Sequence, residues 1–138
     1  MLASWQITWR NGIVPQLSTP ALNALAAGLA CNDPAVLQGA TTNPPPLESL
    51  KDCPVEAACA LCYGPWKGDR LATVGEVEEF FAGVCHMADV ALGEPAAVRY
   101  FLNWIDDTPR EEARLLLLAE VGIALAERRL VKPATPAA

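Results

Sequence analysis

The chain has 138 residues, 52% of them apolar and only 19% charged, which is enough for one hydrophobic core and too apolar for a disordered body. Acidic side chains outnumber basic ones sixteen to ten, only three of the basic ones are lysines, and no basic run exceeds Arg128-Arg129. That balance excludes a phosphate-backbone binder and so a nucleic-acid partner.

Charge is spread unevenly. Residues 1–50 carry only Arg10, Asp33 and Glu48, whereas 73–94 carry Glu76, Glu78, Glu79, Asp89 and Glu94 with no lysine or arginine. The most apolar stretch, 11–32, is broken by Pro15 and Pro20, so no membrane span is expected. The N-terminus lacks the basic and greasy regions of a secretory leader. The expectation is a cytoplasmic protein whose five cysteines are reduced thiols.

In chain order, "WQITWRN" predicts a short helix capped by Ser4, with Trp5 and Trp9 on one face and an end at Gly12 and Pro15. Thr19 as cap and Pro20 at the first position open a second helix, with Leu22, Leu25 and Leu29 on its inner stripe. Asn32-Asp33-Pro34 predicts another turn or short helix through about Gln38. Residues 39–53 form a crossover loop around Pro44, Pro45 and Pro46, which favour polyproline geometry and lack amide donors. Asp52, Pro54 and Glu56 suit a helix start, giving a helix to about Tyr63 that stops at Gly64-Pro65. "GPWKGDR" then reads as a tight turn with Trp66 at its tip.

The later helices have clearer ends. Thr73 and Glu76 have capping-box spacing and Gly93 has the character of a stop, so a helix is predicted between them. Pro95 opens another helix to about Asp106. Thr108, Pro109 and Glu111 give the strongest helix start in the chain, and that helix runs to about Leu130, with Arg128 and Arg129 in its last turn. No run alternates as a strand does. The fold class expected is all-α: a small irregular bundle with three main C-terminal helices and a proline-rich N-terminal half packed against them. Residues 1–131 make one domain and 132–138 a frayed Pro/Ala tail.

The chemistry-bearing residues are few. Cys59 and Cys62 share a face at CxxC spacing, and with Cys53, Cys85 or His86 they have the composition of an iron–sulfur or zinc site. No second CxxC exists, and "EAACALCY" is not a metal-knuckle turn. A redox dithiol needs its first cysteine at a helix N-terminus. The predicted helix puts Cys59 about two turns in, among apolar neighbours, where small buried thiols are ordinary core residues. His86 and Asp89 are three apart and can pair on one helix, with no nucleophile specified beside them. No HExxH, phosphate-cradling or dinucleotide motif occurs.

Four tryptophans remain as a handle. Trp5, Trp9 and Trp66, with the strap Pro44–Pro46, are candidate anchors for a protein partner or for self-association. The reading is a non-enzymatic interaction or scaffold module without a cofactor. The alternatives are a cysteine-ligated metal protein and a small thiol- or histidine-dependent enzyme.

Overall fold

The computed structural model describes residues 1–131. It is mostly helical, with six α-helices and one small three-stranded sheet. Helix α1 (Ser4–Thr8) continues without a break into a π-helical turn, Trp9–Ile13, and a 3₁₀ turn, Val14–Gln16. Its cap is Ala3, not Ser4, and the Gln6 side chain accepts the Ala3 N–H at 2.9 Å. Helix α2 (Thr19–Ala30) is capped one residue earlier than expected, by the Ser18 hydroxyl accepting from the Ala21 amide.

The sheet is the first departure from an all-α reading. Strands β1 (Val36–Leu37) and β2 (Thr42–Asn43) flank β3 (Ala57–Cys59), with β1 parallel and β2 antiparallel to it. Residues 32–38 therefore form a turn and a strand rather than a helix. The proline segment behaves as a connection: β2 ends at Asn43, the Asn43–Pro44 bond is cis, Pro45 and Pro46 are exposed, and a 3₁₀ turn follows at Glu48–Leu50.

The second departure is helix α3. It spans Ala60–Gly68, not 52–63. Pro54, Val55 and Glu56 lie in extended chain because their backbones are used elsewhere. The Val55 amide donates to Ala72 O at 3.0 Å and the Glu56 amide to Asn43 O at 2.8 Å, while Pro54 bridges Thr73. Gly64 and Pro65 do not end α3. Trp66, expected at a turn tip, is half-buried within it, edge-on to Tyr63 and beneath the Lys67 ammonium.

Gly64 is instead a packing device. A Cβ there would stand 2.3 Å from the Ala21 carbonyl oxygen of α2. The α2–α3 pair is pinned a second time by Tyr63, whose hydroxyl donates to Asp33 Oδ2 at 2.6 Å and whose ring lies where a Cβ on Gly28 would be.

Helix α4 (Val74–Leu92) has the expected Thr73–Glu76 capping box and a left-handed Gly93 at its end. Helix α5 (Arg99–Asp107) starts later than Pro95 suggests. Asp89 holds its approach by accepting from the amides of Ala96 and Val98. Helix α6 (Arg110–Val131) buries Ala113, Leu117, Val121 and Ala124 and packs on α2.

The N-terminal segment closes the core over these helices. Trp5 stacks on Trp104 with ring centroids 3.6 Å apart, and Trp9 stacks on Phe101 at 5.4 Å. Arg10 reaches Glu120, which is nearly buried on α6, with Nε and an Nη at 2.7 and 2.8 Å from its two oxygens. The tail 132–138 lies outside the described residues.

Candidate functional site

Both flanks of β3 are paired, so the chain must leave the sheet at a fixed place and in a fixed direction. The Ala58 amide donates to Ala35 O and the Cys59 amide to Thr41 O, at 2.9 and 2.8 Å. Cys59 is extended, with φ −65° and ψ 169°, and the next residue begins α3. Cys59 is therefore the N-cap of a helix, and not two turns inside one as its flanking sequence implies. Cys62 lies one turn on, at the third helical position, fully buried.

This placement controls the chemistry of both sulfurs. The adjacent Cys62 side chain, with the free amides of Cys62 and Leu61, holds the Cys59 thiol below its ordinary pKa. Burial opposes this, and so, more weakly, does the negative charge of Asp106. No hydrogen bond of capping geometry forms between the first-turn amides and the sulfur, so they act on it chiefly as oriented dipoles. Cys62 is shifted strongly upward, first by the neighbouring Cys59 side chain and then by burial. Its S–H donates to the Val77 carbonyl at 3.9 Å. Cys59 is thus the more acidic thiol of the pair and Cys62 the less acidic one.

The half-buried Cys59 opens on a cavity of about 130 Å³. Gly39, Ala40 and Thr41 form one wall, Phe81, Phe101 and Leu102 another, and Asp106 closes the rim. Asp106 Oδ1 accepts the Gly39 amide at 2.9 Å, and Gln38 Nε2 donates to the α5 carbonyl of Ile105 at 2.7 Å. These two contacts tie the β1–β2 loop to the end of α5 and shape the mouth. Asp106 at the end of α5 thus has a positional use that its sequence context does not reveal.

The other sequence candidates are dispersed. Cys85, half-buried on α4, is pushed up to about 11 by burial, then by the nearby Cys59 and Asp89. Cys53 sits beside the bridge to Thr73, its carbonyl accepting from Val74, and Cys31 is exposed at the end of α2. His86 is exposed on α4, and Asp89 spends both oxygens on backbone amides rather than on the imidazole. Among the described residues, no three His, Cys, Asp or Glu side chains converge as a metal-binding group. Trp5 and Trp9 are buried, and Trp66 packs against the core, so these rings do not stand out as free anchors. No described helix is long and apolar enough to cross a membrane. The chain matches no known protein family, no curated protein and no solved structure.

Proposed function

We propose that this protein carries a dithiol–disulfide exchange site, with Cys59 as the attacking thiol and Cys62 as the resolving one. The observation that carries the reading is the position of Cys59 at the N-cap of α3, with Cys62 buried one turn on. The Cys59 thiolate attacks one sulfur of a substrate disulfide. A Cys59–substrate mixed disulfide forms and the other substrate sulfur leaves as a thiolate. That leaving group takes the Cys62 proton, and the Cys62 thiolate then attacks the Cys59 sulfur. The second substrate sulfur leaves as a thiolate, which takes a proton from water, and a Cys59–Cys62 disulfide remains. Two electrons pass from the protein to the substrate, and an external thiol reductant restores the dithiol.

The division of labour matches the shifts. A low thiol pKa favours the attacking form, and a buried neighbour is protected from competing oxidants. The cavity volume suits a single exposed disulfide or a small disulfide substrate better than a polypeptide core.

Equilibration in glutathione buffers followed by thiol counting tests this reading. The expected result is one intramolecular disulfide in the wild type. Cys62→Ser is expected to trap a mixed disulfide with glutathione, and Cys59→Ser to trap none. A wild type that loses no thiol pair across the glutathione range, or a Cys59→Ser variant that still traps glutathione at Cys62, refutes it.

A further inference from the structure

Helix α6 has two apolar faces, and the structure uses only one. Ala113, Leu117, Val121 and Ala124 point inward. On the opposite side Leu116, Ala119, Ile123, Ala126 and Leu130 recur at alternating steps of three and four, with Leu115 and Gly122 beside them. All of these are exposed: Leu115 by 51%, Leu116 by 43%, Ile123 by 38% and Leu130 by 85%. At about 100° per residue, the outward sector between Leu115 and Leu130 contains no polar side chain. An exposed helix face normally carries the polar residues, and this spacing is that of a coiled-coil seam.

We propose that this face binds a second copy of the same chain, with the two α6 helices antiparallel. Side-chain size selects that occupant and that direction. The seam alternates large and small residues, so an antiparallel pair sets Leu116 against the partner's Ala126 and Ile123 against the partner's Ala119. Each of these four layers is then one large and one small group, and the helices approach closely. A parallel pair stacks alanine on alanine and leaves those layers underfilled.

Charge selects the same direction. Glu112 opens the stripe and Arg129 flanks its end, and neither makes an ion pair among the described residues. Antiparallel pairing brings Glu112 of each chain beside the partner's Arg129 and opposes the helix dipoles favourably, whereas parallel pairing sets like charges together. The stripe covers only about four turns, so a concentration-dependent monomer–dimer equilibrium is expected rather than an obligate dimer. The inference does not depend on the thiol chemistry, because none of its residues lines the Cys59 cavity.

Sedimentation equilibrium of the full chain over a concentration series tests it. The wild type is expected to pass from the 14.7 kDa monomer to twice that mass. Ile123→Glu and Ala119→Arg are expected to weaken association by about a hundredfold or more, with unchanged circular dichroism, because the altered positions lie on the surface. Gly122→Cys is expected to cross-link between chains on oxidation beyond the wild-type level, being near the two-fold axis, and Leu130→Cys is not. A wild type that stays monomeric, a dimer indifferent to both charged substitutions, or efficient cross-linking through Leu130→Cys overturns the proposal.

Discussion

Replacing Gly64 by alanine tests the packing that holds the thiol helix in place. An ideal Cβ at Gly64 falls 2.3 Å from Ala21 O and 2.9 Å from Ala21 C, where ordinary contact begins at 3.4 Å. Both obstructing atoms are backbone, so no rotamer change relieves the clash and α2 and α3 must separate by about 1 Å. Overpacking of this kind costs about 3 kcal/mol at the upper end of the usual range. Alanine returns about 1 kcal/mol of helix propensity, leaving a net loss of about 2 kcal/mol. The control is Gly83→Ala, in the interior of α4, where nothing lies within 4 Å of the new Cβ. The same substitution there is expected to stabilise by about 0.5–1 kcal/mol. Urea unfolding followed by tryptophan fluorescence, with unchanged m-values, reads both. The reasoning is refuted if Gly64→Ala costs less than about 0.5 kcal/mol, or if both substitutions shift stability in the same direction.

Other expectations concern titration and hydrogen bonding. The rate of iodoacetamide capture at Cys59 is expected to follow a midpoint below the ordinary thiol value of about 8.5, and Asp106→Asn is expected to lower it further by removing a negative charge. Mass-spectrometric rates resolved by cysteine decide this, and a midpoint at or above the ordinary value contradicts the site. The Arg10 hydrogen bonds hold the Glu120 carboxyl below its ordinary pKa. The stability they supply is complete above about pH 4.3 and is lost as pH falls through the lower folded value. Arg10→Met strands Glu120, whose folded pKa then rises, so the stability gap to wild type should narrow as the medium is acidified. A gap that stays constant with pH contradicts this. Tyr63→Phe removes the donor to Asp33 and is expected to cost about 1–2 kcal/mol in thermal unfolding; a neutral result would mean that water replaces the contact fully.

The parts of the fold that were legible in the sequence are those set by local signals. The Thr73–Glu76 box and the Gly93 stop are decided within one turn of chain, and α4 and α6 have nearly the expected limits, although Thr108 closes α5, its hydroxyl donating to the Trp104 carbonyl, and does not cap α6, which starts at Arg110 and not Pro109. Residues 52–59 failed for the opposite reason. Asp52, Pro54 and Glu56 resemble a helix start, and alanine favours helix, but the amides of Val55, Glu56, Ala58 and Cys59 are taken by Ala72, Asn43, Ala35 and Thr41. Those partners are distant in sequence and leave no periodic trace in strands of two or three residues. Small side chains are what a tightly flanked central strand accepts, so helix propensity was overridden by context. The CxxC spacing was legible, but whether its first cysteine stood inside a helix or at its mouth depended wholly on that misread segment. The tryptophans were conspicuous for their number, yet only the fold shows that Trp5 and Trp9 complete the core against Trp104 and Phe101.

The identity of residue 59 supplies a last prediction. A sheet of such short strands contributes little stability alone, but it fixes the angle at which the chain enters α3. That entry position asks for serine, threonine, aspartate or asparagine, whose oxygen accepts from the second or third amide of the helix. This chain has cysteine there, and no capping hydrogen bond forms. If residue 59 served only the fold, serine would serve it better in the same volume. Cys59→Ser is therefore expected to raise stability by about 0.5–1 kcal/mol while abolishing exchange with disulfides. Urea unfolding of the reduced proteins measures the first effect and thiol counting in glutathione buffer the second. A destabilised Cys59→Ser variant would mean that the sulfur is held there by packing, and the argument for a thiol kept against the preference of the fold would fail.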